Sequence, residues 1–180
     1  MTTQRNPVSK MILSGLFLAL GLLLPFLTGQ IQQFGNMLLP MHIPVLLCGF
    51  VCGPFWGLAV GFVTPLLRSL LFTMPPLFPM ASAMAFELAA YGLLTGLLGS
   101  IWIKDKKGIY AALIASMLAG RAVWGIAAYV FYGMAGTPFG WKMFLTMGLL
   151  NAWPGILVQL VLIPPLVMAI RRIMSSNRQG

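Results

Sequence analysis

The chain is poor in acid. It has 180 residues, of which 2 are Asp or Glu, 1 is His and 2 are Cys. One acid, Glu87, lies inside the apolar run MASAMAFELAAYGLLTGLLG. So small a stock leaves little material for acid–base or metal chemistry. No serine, histidine and acid can be set at one depth for nucleophilic catalysis. No G-x-x-x-x-G-K-[ST] loop occurs, so the chain does not bind ATP by that route. Cys48 and Cys52 are spaced i,i+4 on one expected helix and read as small buried thiols, since a metal site needs more ligands than one His supplies. No cofactor is expected.

Charge of either sign is scarce, at 7%, while 59% of residues are hydrophobic. Soluble domains carry about 25% charged residues. A soluble core of this length cannot hide so much apolar surface, so lipid must cover the outside. The net charge of +9 does not form a nucleic-acid patch. The basic residues fall at Arg5 and Lys10, at Lys104, Lys106 and Lys107, and at Arg171, Arg172 and Arg178, between or beyond the apolar spans. That distribution follows the positive-inside rule.

About 20 apolar residues cross a bilayer. The runs predict an all-α membrane protein, a single integral domain over 1–180 with six transmembrane helices at about 11–28, 39–52, 55–72, 81–103, 109–132 and 143–170. The first run resembles the hydrophobic region of a signal peptide, but it lacks a clear cleavage site and more spans follow, so it is read as a helix. Gly53-Pro54 separates the second helix from the third. The segments GQIQQFGNM, TMPPLFPM (73–80) and GMAGTPFGWK read as loops. Pro154 and Pro164-Pro165 should bend the last helix. An even count puts both termini on one side, and the basic clusters make that side cytoplasmic. The three loops then face outward together.

Three charges interrupt the apolar spans: Arg68, Glu87 and Arg121. Each costs roughly 2.5–3.5 kcal/mol to place in hydrocarbon, so each is expected to have a use. With a rise of 1.5 Å per residue, Arg68, Glu87, Arg121 and Asn151 all fall in the outer half of the membrane. Tyr91 shares a face with Glu87 at i,i+4, and Trp124 lies three residues beyond Arg121. Asn151, Gly155 and Gln159 share a face of the last helix. Ala83, Gly125 and Gly155 leave room between helices. The expected substrate-binding set is Arg68, Glu87, Tyr91, Arg121, Trp124, Asn151 and His42. His42 reads first as an interfacial residue and second as a ligand contact. Either arginine could instead pair with Glu87 simply to hold the bundle. Two arginines against one glutamate leave a positive charge unmatched, which suits a carboxylate or phosphate. Trp141 and Lys142 read as interface anchors. Met74 and Met80 could line a pocket that changes shape. Gly15 and Ala19 form a small-xxx-small pair on a first helix made mostly of Leu and Phe, which suits a packing surface.

These features resemble the substrate-binding (S) component of an energy-coupling factor transporter. The resemblance is specific over residues 38–98, where LPMHIPVLL, a GP turn, TPLLRSLL, MPP and EL..YG occur in the order of a vitamin-uptake branch. Beyond that third of the chain it is one of topology and general character. It implies capture of a vitamin from outside, docking on a membrane coupling subunit, and inward release driven by two cytosolic ATPases as the S component topples in the bilayer. It gives Gly15 and Ala19 the coupling-subunit interface, with Gly15 in place of the usual first alanine. It makes gates of the loop after the first helix (Gln32, Asn36) and of the segment with Pro75 and Pro76. It places the protein in a bacterial cell membrane as a multi-pass protein. Pantothenate is the favoured vitamin because its carboxylate suits the unmatched arginine; pyridoxine, cobalamin and folate are alternatives. An ion-coupled secondary transporter or a small membrane enzyme are readings of another class.

Overall fold

The computed structural model describes residues 6–28, 39–103 and 106–176. Gln32 and Asn36 lie outside the described residues. Among the described residues the α-helices are α1 Pro7–Leu23, α2 His42–Cys52, α3 Pro54–Phe72, α4 Ser82–Trp102, α5 Lys106–Met134, α6 Trp141–Leu145 and α7 Trp153–Ser176. No strand occurs among the described residues. Among the described residues, five stretches are long and apolar enough to cross a membrane: Pro7–Phe26, Pro54–Phe72, Leu77–Trp102, Lys106–Met134 and Trp153–Ile173.

The helix ends follow from local chemistry. Pro7 and Pro54 open α1 and α3, where a missing N–H costs nothing. Pro25 restricts the residue before it, and the chain tightens there into a 3-10 turn over Leu24–Thr28. Gly53 joins α2 to α3 at φ 101°, a conformation that only glycine adopts easily. The segment 73–80 is not wholly a loop: Leu77–Ala81 coils into a wide turn that leads into α4.

The expected helix over 143–170 is divided. A wide turn at Thr146–Leu150 ends with the Asn151 amide donating to the Thr146 carbonyl (2.9 Å), and α7 starts afresh at Trp153. Pro154 explains the break. It has no N–H for the Leu150 carbonyl and its ring crowds that group, so it is tolerated only in the first turn of a new helix.

At 11 residues α2 is about 16 Å long, well short of the ~30 Å of hydrocarbon. Among the described residues, five helices are long enough to reach across by length, and α2 is shorter. α2 is instead the centre of the bundle, packed against α1, α3, α4 and α7, with Val45, Leu46 and Cys48 fully buried. Cys48 and Cys52 are buried in this core.

α3 and α4 meet backbone to backbone. A Cβ on Gly92 would collide with the Gly57 carbonyl, one on Gly61 with the Leu88 carbonyl, and one on Gly96 with Pro54. Gly57/Gly61 and Gly92/Gly96 are small-xxx-small pairs that let helices approach closely in lipid. This seam fixes α4, the helix that carries Glu87 and Tyr91. Gly15 and Ala19, by contrast, lie exposed on α1, while Ser14, Phe17 and Gly21 of that helix turn inward.

Candidate substrate site

Glu87 is 1% exposed and forms the hub of a buried polar cluster. Arg121 Nη1 on α5 donates to Glu87 Oε1 at 2.9 Å. Tyr91, one turn below Glu87 on α4, donates its hydroxyl to the same oxygen at 3.0 Å. His42, at the first position of α2, brings Nε2 to 3.7 Å from it. Three helices therefore meet at one carboxylate. The Tyr91 ring fits because α5 offers Gly120 there; a Cβ on Gly120 would strike the ring.

A cavity opens beside the cluster, lined by Leu39, His42, Glu87, Arg121, Trp124 and Asn151, together with Met80, Met84 and Met147. Trp124 stands with its ring centroid 5.6 Å from the Arg121 guanidinium carbon. It is held by Phe139 edge-on (5.6 Å) and by Phe144 stacked (5.9 Å). Leu39 enters the wall at φ 50°, a left-handed conformation uncommon for leucine. The cavity volume is ≈ 50 Å³, below the ~300–1,000 Å³ of small-molecule pockets. A vitamin-sized molecule therefore enters only if lining side chains move. Three of them are methionines, whose unbranched chains re-pack readily.

The expected site residues divide. Glu87, Arg121, His42, Trp124 and Asn151 line the cavity, and Tyr91 supports it from behind through Glu87. His42 is buried in the cluster. Met80 lines the cavity, whereas Met74, Pro75 and Pro76 do not.

Arg68 is elsewhere. It is buried, but its Nη1 donates to the Leu22 carbonyl at the end of α1, and its guanidinium lies over Phe26 (5.2 Å) and Phe72 (5.4 Å). It satisfies a carbonyl that a helix C-terminus leaves without a partner. The unmatched cation is thus outside the cavity, and the cavity's own arginine is paired with its own glutamate. Met84 and Met147, which the sequence reading passed over, belong to the wall. Met84 sits three residues before Glu87, on the same face of α4, so helical spacing alone could have found it.

The matched region in known families is long. The model of the ECF transporter, substrate-specific component, covers residues 9–167. The chain belongs to that family. It is accordingly a multi-pass membrane protein of a transport system, a substrate-binding component and not itself an enzyme. As an S component it binds a small molecule and works with the other parts of the transporter. The match extends over every element of the cavity, from Leu39 to Asn151. No curated protein and no solved structure matches the chain.

Proposed function

We propose that this S component captures pantothenate from outside a bacterial cell membrane and hands it to a membrane coupling subunit driven by two cytosolic ATPases. The observation that carries the reading is Arg121, which lines the cavity while its Nη1 holds Glu87 at 2.9 Å. A guanidinium has five N–H donors in a planar fork. The donors beyond that contact suit a ligand carboxylate, and Trp124 and the three methionines suit its apolar part. Glu87 then acts as the built-in counter-charge that makes a buried arginine tolerable before the ligand arrives.

In this reading six helices cross the membrane, α2 as a short buried one, and both termini are cytoplasmic. Leu39, Met80 and Asn151 stand at the outer end, and the segments at 29–38 and 73–80 gate the site. Gly15 and Ala19 dock on the coupling subunit; their exposure on α1 supports this. Arg68 pins the outer end of α1 and takes no part in binding.

Calorimetric titration of the purified protein with pantothenate tests the proposal, with an expected Kd below about 1 μM. Binding of pyridoxine, folate or cobalamin in its place would replace the vitamin and keep the mechanism. Uptake by vesicles that hold this chain alone, driven by an ion gradient, would reject the S-component mechanism. Leucine at both Gly15 and Ala19 should abolish ATP-dependent uptake and spare binding by the isolated protein.

A further inference from the structure

Gln159 on α7 is 1% exposed, and neither its Nε2 nor its Oε1 has a hydrogen-bond partner among the described residues. Buried polar groups are nearly always hydrogen-bonded. In a bundle surrounded by hydrocarbon the requirement is stricter, because water cannot stand in. The neighbours of Gln159 along α7, Ile156, Leu160 and Ile163, pack into the main apolar core. The amide is therefore a donor and acceptor left over in an apolar layer where α7 meets α2 and α5.

Its place relative to the cavity gives it a use. Gly155 and Gln159 lie at i,i+4 on one side of α7, and Asn151 stands in the turn just before that helix. Asn151 lines the cavity. Gly155 is buried and has no side chain to separate the two amides. Gln159 lies about 6 Å further along α7 than Gly155 at 1.5 Å per residue. The only other buried side-chain atoms without a hydrogen bond among the described residues are the two ring nitrogens of His42, in the cavity wall. Among the described residues, the buried side-chain nitrogens and oxygens without a hydrogen bond are thus confined to the cavity wall and to Gln159 on α7.

We infer that Gln159 is a specificity-determining residue of the substrate site, reached when the cavity extends down α7 past Gly155. The substrate then carries, at the end away from its carboxylate, an amide or hydroxyl group that both donates and accepts hydrogen bonds. This rests on reading the cavity as the substrate site. Pantothenate has such groups beyond its carboxylate; a plain aliphatic carboxylate has none and is rejected, because Gln159 stays unsatisfied beside it.

The test uses Gln159→Met, which keeps the side-chain length and removes both polar groups, with Gln159→Leu as a second variant. Each is titrated with pantothenate or, if the wild type does not bind it, with whichever of pyridoxine, folate and cobalamin it does bind. The expected result is affinity at least tenfold weaker, with a thermal midpoint of the unliganded protein that is unchanged or raised. Unchanged affinity overturns the inference and leaves the substrate site in place. A lowered unliganded midpoint, or failure of both variants to fold, also overturns it, since the amide is then structural. A folded wild type that binds none of the vitamins defeats the substrate-site reading and this inference with it.

Discussion

Arg68 is buried and Arg121 partly buried, each in an apolar helix, and they solve the problem of a cation withdrawn from water in opposite ways. Arg121 has a carboxylate, at 2.9 Å, and stands in the wall of a cavity. Arg68 has a backbone carbonyl and two phenyl rings, from Leu22, Phe26 and Phe72, and does not line that cavity. The first arrangement leaves donors beside free space, where a ligand can use them. The second ties the end of α1 to α3 and closes the space around the guanidinium. A charge within an apolar span therefore announces a function only when its partners are known; the same residue type serves as a latch in one helix and as a ligand-facing group in another.

The two environments should respond differently to the loss of the cation. Arg121→Ala leaves Glu87 as an unpaired buried charge, which costs about 3–5 kcal/mol. Its thermal midpoint should fall sharply, and adding Glu87→Gln should restore most of the loss without restoring ligand affinity. A single variant as stable as the wild type would show that the pair is not buried as described. Gly92→Val should come next in size. Its side chain would force apart the α3–α4 seam, and overpacking of this kind costs about 1–3 kcal/mol or more; denaturation in detergent would register it.

Arg68→Ala removes one charge-assisted hydrogen bond and two cation–π contacts but also relieves the desolvation of a buried guanidinium, for about 1–3 kcal/mol net. No partner-less carboxylate remains, so no second substitution should be needed to recover a folded protein. If Arg68→Ala proves more damaging than Arg121→Ala, the contrast between latch and ion pair is wrong. The smallest effect is expected for Tyr91→Phe. It deletes one hydrogen bond to a charged group, worth about 1.5 kcal/mol, and should lower stability modestly while the ring keeps its place against Gly120.

These arginines also mark how far the sequence could be read. Glu87 and Arg121 were legible together because each interrupts an apolar run and helical rise sets them at similar depth. Arg68 had the same depth and charge, yet its partner is the carbonyl of Leu22, which no side-chain pattern reports. The glycine seam was written plainly in the spacing of Gly57 with Gly61 and of Gly92 with Gly96. Gly15 and Ala19 show the same spacing, and only the fold separates the pair that is packed from the pair that is exposed. His42 could not be placed from sequence because its depth depends on where α2 begins, and a helix of 11 residues at the centre of the bundle is not what a span-length rule anticipates. Pro154 signalled a bend; the chain breaks just before it instead, and this sets Asn151 at the cavity.

The measurement that bears most directly on the site is a calorimetric titration of pantothenate into wild type, Arg68→Ala and Arg121→Ala, the last carried with Glu87→Gln so that all are folded. The cavity assigned to Arg121 predicts that Arg68→Ala binds within about threefold of wild type, while the Arg121→Ala protein loses about a hundredfold or more, close to 2.7 kcal/mol. Equal losses in both, or full affinity without Arg121, would contradict it.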